Sequence, residues 1–306
     1  MSLIKTQFTE VEKHKRMKPL MRYHGAKWKL APWIISHFPQ HHCYVEPFGG
    51  SAAVLLNKPK AAREVYNDLN FEVFTLFNVI RDEKMRTELL RLLAMTPYSR
   101  LEFDFAKDVP AMHVNRSKNS GYQCGDESAI MIAHALLVRA QMGFGSAGAT
   151  RGNTGFRLDT ARNGTSLQAL WNDLPENVLS VCGRLKNVII ENARATQVMQ
   201  QHDREDTLIY LDPPYLHDTR QTNNAYAHEM SEREHEFLLE LMKKSKSMMV
   251  ISGYDNDLYN DMLQGWAKST RQIAASSQNG STTRNEVLWI SPNCEQGQID
   301  LFEVRA

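Results

Sequence analysis

Residues 208–215 read Leu-Ile-Tyr-Leu-Asp-Pro-Pro-Tyr. Four apolar residues in a row, Leu208 to Leu211, suit a strand buried on both faces. Asp212 stands where that strand ends, and open α/β sheets bind ligands just outside the carboxyl ends of their strands. Pro213 and Pro214 each hold φ near about −65° and lack an N–H donor. Each also pushes its predecessor out of the helical region. The product is a stiff, extended turn with bare carbonyls, a carboxylate at one end and the Tyr215 ring at the other. Such a turn can grip a planar heterocycle that carries an amino group. The carboxylate and a carbonyl accept from the NH₂, and the ring stacks on the face. A simple tight turn is the plainer reading of Pro-Pro alone; an apolar strand running into Asp-Pro-Pro-Tyr favours the site.

Further strand-like runs lie at 42–46, 64–66, 188–190, 248–251 and 287–290, and helical spacing lies between them at 30–37, 71–81 and 231–244. Ser231 with Glu234 three residues later forms a capping box that starts the last of these helices. Phe237, Leu238, Leu241 and Met242 form its apolar stripe, expected in the core. Alternating strands and helices predict a Rossmann-like α/β fold with a doubly wound, mainly parallel sheet.

The alternation breaks between residues 82 and 180, a span too long for an ordinary connection. It holds helical runs at 85–95 and 129–141, a Gly/Arg/Asn-rich run at 143–157, and Asn163-Gly164. The expected organisation is a basic N-terminal arm at 1–18, a catalytic domain at 19–81 and 181–306, and an inserted, mostly helical subdomain at 82–180.

A chain of 306 residues with 42% hydrophobic and 23% charged residues is ordinary for a soluble globular protein. No apolar run is long enough to span a bilayer. The N-terminus is basic and polar, unlike a secretory signal. Cys43, Cys124, Cys182 and Cys294 are scattered, so a reduced, cytoplasmic protein without a metal site is expected. His41-His42 reads as a surface turn before a strand. Net charge is only +1, but its distribution is uneven. Eight Lys/Arg fall within residues 1–29, and Arg139, Arg151, Arg157 and Arg162 lie in a stretch with Asp159 as the one acidic residue.

From Cys43 the chain reads Cys-Tyr-Val-Glu-Pro-Phe-Gly-Gly-Ser-Ala-Ala-Val. A strand runs into a small-residue turn before a helix, which lets a ligand approach backbone at a helix start. It is not a dinucleotide fingerprint. Asp68, after the next strand, can accept from ribose hydroxyls.

Asp212-Pro213-Pro214-Tyr215, together with this turn, resembles the Dam-like family of DNA adenine N6-methyltransferases. The tetrapeptide is that family's catalytic motif. Glu46-Pro47-Phe48, Gly49, Gly50 and Ser51 are similar to its S-adenosylmethionine loop, with Ala52 where the family has Gly. Ala is the smallest replacement, so the packing is expected to tolerate it. Tyr23-His24-Gly25-Ala26-Lys27 is similar to the family's aromatic-Gly-Gly-Lys motif, and Asn67-Asp68-Leu69-Asn70 to its Asn-Asp-x-Asn. The resemblance covers residues 19–81 and 187 to the end.

The resemblance implies S-adenosyl-L-methionine as cofactor, held by Tyr23, Gly25, Lys27, Glu46 to Ser51, Asp68 and Asp212. Lys27 would pair with its carboxylate and Asn192 would lie near its adenine. It also implies double-stranded DNA as partner and an adenine flipped out of the duplex. Asp212 and the Pro213 carbonyl would draw on the amino hydrogens, with Tyr215 stacked on the base. The motif order places target recognition in the insert, where Arg139, Arg151, Asn153 and Arg157 are candidate DNA contacts. The family's GATC-reading stretch Phe-Asn-Val-Pro-Phe-Gly is absent, which argues against a GATC target. A restriction-modification setting and a monomer or weak dimer are expected. Competing readings are an RNA adenine methyltransferase, a glutamine-modifying protein methyltransferase and a catalytically silent DNA-binding regulator. The insert of about 100 residues favours DNA, since groove reading needs a dedicated module. Asp rather than Asn before Pro-Pro disfavours the protein substrate, and intact motifs disfavour the silent regulator.

Overall fold

In a computed structural model, residues 17–113, 115–117, 121–150, 154–158, 166–216, 228–277 and 280–295 are described. The first half of the sheet region runs α1 (Ala31–Ile35), β1 (Cys43–Glu46), α2 (Ala53–Asn57), β2 (Arg63–Asn67) and α3 (Phe71–Arg81). Next come α4 (Glu83–Met95), α5 (Arg100–His113), the hairpin strands β3 (Asn115–Ser117) and β4 (Gly121–Gln123), α6 (Asp126–Met142) and α7 (Leu167–Asn172). The chain returns through α8 (Leu174–Leu185), β5 (Val188–Glu191), α9 (Ala195–Gln201), β6 (Thr207–Leu211), α10 (Glu232–Lys244), β7 (Met248–Tyr254) and α11 (Asp257–Met262). It closes on the long hairpin of β8 (Ala267–Ser277) and β9 (Gly280–Ile290).

Seven strands form one sheet in the order β5-β2-β1-β6-β7-β9-β8. The first five are parallel, and β9 runs antiparallel to both of its neighbours, β7 and β8. Alternate strand residues feed two cores, as expected of a sheet covered on both faces. Tyr44, Tyr66, Leu208 and Tyr210 join one core with α3, α6 and α8. Val45, Val65, Ile209 and Leu211 join the other with α9 and α10. The result is the expected α/β sheet. From β1 the chain steps outward to β2 and β5, then crosses back to β6 on the other side of β1. The ends of β1 and β6 therefore flank the point where strand order reverses, the usual ligand crevice of such sheets.

Ser231 caps α10 with the full capping box. The stripe on that helix differs from expectation at one position. Leu238 and Met242 are buried, but Phe237 is 60% exposed, and Leu239 and His235 take the inward face instead.

Helices α4, α5 and α6 share the core that also holds Tyr44 and Leu208, so this part of the insert packs onto the sheet domain. The boundary expected at 180/181 falls inside α8, an unbroken helix packed on α3 and leading into β5. Among the described residues no helix is long and apolar enough to cross a membrane.

Candidate active site

The turn after β1 is built by close backbone approach. A Cβ on Gly49 would lie 2.0 Å from Tyr66 Cε2. Gly50 has φ of 49°, and a Cβ there would lie 2.9 Å from Tyr23 Cε1. The Tyr66 hydroxyl donates to the Gly50 carbonyl at 2.7 Å, and Trp28 Nε1 donates to Ser51 Oγ at 3.2 Å. Ala52 adopts φ 54° and ψ 31°, the left-handed region. Expected to be a tolerated small residue, it stands in a conformation that costs a residue with a Cβ about 1–2 kcal/mol.

Asp68 ties this turn to the next loop. Its Oδ2 accepts from Gly50 N and its Oδ1 from Asn70 N, both at 2.7 Å. Each carboxylate oxygen retains a second acceptor site for a ligand. Burial pushes its pKa up to about 6, against the pull of those two amides. Glu46 is 2% exposed and accepts from the Tyr44 hydroxyl at 2.8 Å and from Leu55 N at 2.9 Å. Burial pushes its pKa up to about 8.

At the end of β6, Asp212 Oδ1 accepts from Ser252 Oγ at 2.9 Å and lies 2.9 Å from Lys27 Nζ. Lys27 also donates to the Gly25 carbonyl at 2.8 Å and lies 3.6 Å from Glu286 Oε1. Its ammonium sits 4.9 Å from the centroid of the Tyr215 ring. The Tyr215 hydroxyl donates to Glu286, and its ring meets the Tyr254 ring edge-on at 4.8 Å. Two expectations change here. Lys27 is engaged by protein carboxylates instead of standing open for a ligand carboxylate. Tyr215 is 7% exposed, with its hydroxyl bonded and its ring packed by Lys27 and Tyr254, so no bare ring face is offered to a base.

These groups surround one cleft with about 970 Å³ of empty space, part of it open solvent. Its lining brings together Tyr23, Gly25, Lys27, Glu46, Pro47, Phe48, Gly49, Gly50, Ser51, Asp68, Asp212 and Pro214. Pro213 is buried behind it. Asn192 does not line it. Its Nδ2 donates to the carbonyls of Asp68 and Leu69 at 2.7 and 3.1 Å, bracing the loop from outside. Asp68, Asp212, Glu229 and Glu234 outnumber Lys27 in the lining, which makes it acidic. This suits a ligand with cationic and hydroxyl groups.

The candidate DNA contacts separate. Arg139 is 3% exposed, pairs with Glu72 and donates to the Ala106 carbonyl at 3.1 Å. It is an internal tie between α6, α3 and α5, because almost every neighbour on α6 is buried and the helix has no wet face there. Arg157 is half-buried beside the isolated Gly143–Phe156 bridge, and its N–H donates to the Met142 carbonyl at 2.7 Å. Arg151 and Asn153 lie outside the described residues.

Sequence reading missed Glu286 and Ser252 and gave Asn67 only as a motif residue. Glu286 and Ser252 hold the Lys27–Asp212 pair. Asn67 is fully buried; its Nδ2 donates to the Pro47 carbonyl at 2.8 Å and its Oδ1 accepts from Ala193 N at 2.9 Å. The available signal for Glu286 was a lone carboxylate abutting the apolar run 287–290.

Residues 23–277, most of the chain, match the family described as D12 class N6 adenine-specific DNA methyltransferase. The chain belongs to that family. It is similar to the DNA adenine methylase of Escherichia coli (strain K12), 34% identical over 74 residues, 24% of this chain and 25% of that protein. It is also similar to the DNA adenine methylase of Serratia marcescens, 26% identical over 106 residues, 35% of this chain and 32% of that protein. The aligned stretches thus span about a quarter to a third of these relatives' length. In this D12 chain the turn after β1 and the Asp-Pro-Pro-Tyr run meet at one crevice.

Proposed function

We propose that this protein transfers a methyl group from S-adenosyl-L-methionine to the exocyclic N6 amino group of an adenine flipped out of double-stranded DNA. The carrying observation is that the Gly49-Gly50 turn, Asp68, Asp212 and Pro214 line one cleft where strand order reverses. The cofactor fits the residues present. Asp68 retains acceptor capacity for ribose hydroxyls, the glycine turn admits close approach, and the acidic lining favours a sulfonium and an ammonium. Tyr23, Phe48, Gly50, Ser51, Glu46 and Asp68 would hold it. When bound, the cofactor supplies an electrophilic methyl group.

The chain's own contribution is alignment and electrostatics. The amino lone pair of adenine is delocalised into the ring and is a poor nucleophile. Asp212 accepts from one amino hydrogen and the Pro213 carbonyl from the other, which draws the lone pair out of conjugation. The rigid Pro213-Pro214 backbone fixes both acceptors. A base stacked in a duplex cannot reach such a cleft, so the target nucleotide must leave the helix. Segment 82–180 would select the sequence.

The deciding experiment incubates the full chain with radiolabelled S-adenosylmethionine and mixed-sequence duplex DNA, then digests the DNA to nucleosides. Label in N6-methyl-2′-deoxyadenosine supports the proposal. Absence of label, or label only in another nucleoside, overturns it.

A further inference from the structure

We propose that Glu286 is a positioning residue that keeps the cleft electronegative: it shares the Lys27 charge, so that Asp212 remains a net anion facing the cationic cofactor. This rests on the function proposed above. The observation is a buried array of one cation and two carboxylates. Lys27 Nζ is 2.9 Å from Asp212 Oδ1 and 3.6 Å from Glu286 Oε1. The side chains of Lys27 and Glu286 are 6% and 2% exposed, while that of Asp212 is 19% exposed and opens to the cleft. Without Glu286, a buried ammonium in contact with Asp212 would cancel its charge. With Glu286, one positive charge faces two negative ones, and the balance is negative.

Burial raises the pKa of Glu286, and the Lys27 ammonium and the Tyr215 hydroxyl pull the other way. The Tyr215 hydroxyl donates to Glu286 Oε1, and the Lys27 ammonium lies beside the same oxygen. Two donors converging on one oxygen suit a carboxylate acceptor. Arg284, two residues along β9, is directed elsewhere. Its Nη1 donates to the Tyr254 hydroxyl at 3.1 Å and its guanidinium packs on that ring.

The test compares two probes of nearly the same shape and different charge. S-adenosylmethionine carries a sulfonium; S-adenosylhomocysteine carries a neutral thioether. Titration calorimetry on the full chain without DNA gives the ratio of their affinities. Glu286→Gln keeps an acceptor for Tyr215 and Lys27 and removes the charge. It should lower affinity for the sulfonium about tenfold and change that for the thioether by no more than about twofold, the scale of one partly screened unit charge. Glu286→Asp should retain the wild-type ratio. The double variant Lys27→Met/Glu286→Gln removes one charge of each sign and should restore it. Glu286→Met serves in place of Glu286→Gln if the latter does not fold. An unchanged ratio in a folded, charge-free Glu286 variant overturns the proposal, as does a double variant that remains as low as the single one. If the wild-type chain binds neither probe, the cofactor assignment itself falls and this inference with it.

Discussion

The Lys27 ammonium and the Asp212 carboxylate meet at 2.9 Å, joining the segment before α1 to the end of β6. Removing a buried cation from between two carboxylates leaves uncompensated charge, which commonly costs about 3–5 kcal/mol. Lys27→Met should fall near the lower end, because Asp212 keeps some contact with water. Urea unfolding of the protein without ligand measures this. Were Lys27 reserved for the cofactor, the unfolding midpoint would not move.

Tyr215→Phe removes the hydroxyl that donates to buried Glu286. Hydrogen bonds to charged groups are worth about 1.5–3 kcal/mol. The Phe variant should therefore melt earlier and lose methyl transfer, whereas a tyrosine acting only through its ring would retain both. Thermal melts and turnover on the same preparation distinguish these cases.

Ala52 is the one non-glycine residue with positive φ among the described residues. Ala52→Gly relieves about 1–2 kcal/mol of backbone strain and adds about 0.4–1 kcal/mol of unfolded-chain entropy. The net expectation is a stability gain of about 0–1.6 kcal/mol, the difference of those terms. A destabilised Gly variant would mean that the Ala52 side chain contributes more than its strain costs.

Much of this arrangement could be read along the chain, and its failures share a cause. Leu208 to Leu211, the Ser231–Glu234 cap and the Gly49-Gly50 turn are local signals, and each appears where expected. Glu286 lies 74 positions beyond Asp212 and reaches the site only because β9 pairs antiparallel with β7; no local pattern encodes that. Strand β8 reads Ala-Lys-Ser-Thr-Arg-Gln-Ile-Ala-Ala-Ser-Ser, too polar for a core strand, because it is the edge of the sheet. Arg139 was grouped with the arginines that follow it, although it lies in a helix with almost no wet face. Pro110 inside α5 hid a helix that tertiary packing sustains.

Two raised carboxyl pKa values give opposite pH trends for stability and binding. Asp68 moves from 3.8 to about 6 and Glu46 from 4.5 to about 8, both through burial. A group whose folded pKa is raised favours the fold while protonated. Its contribution is full below the unfolded pKa and is lost as pH rises through the folded one. For these two groups, stability of the unliganded protein should decline between about pH 4 and 8. Affinity for a cationic cofactor should rise over the same window as the carboxylates ionise. Asp68→Asn should remove the lower step of the binding curve and Glu46→Gln the upper one. Affinity that stays flat from pH 5 to 9 in the wild type, measured by calorimetry, is incompatible with these assignments.

Arg157 is the described arginine of the run 143–157, and its surroundings make it a candidate phosphate contact. Its carbonyl accepts from the Tyr98 hydroxyl at 3.0 Å and its N–H is bonded to Met142, so the backbone is fixed while the side chain stays half-buried. Arg22 lies close enough for the Arg157 charge to depress its pKa, an effect second to its own burial. Two guanidinium groups held near each other repel, and an anion placed between them relieves that repulsion. Arg157→Ala should therefore weaken DNA binding and leave cofactor affinity intact. If the contact is to phosphate, the loss should be similar on unrelated sequences, and the dependence of log affinity on log salt should shallow by about one unit. If it is to a base edge, specificity should relax at one position instead, at a cost of about 1–3 kcal/mol. Fluorescence anisotropy with several duplexes across a salt series reads both signatures. An affinity equal to wild type at every salt concentration would take Arg157 out of the DNA interface.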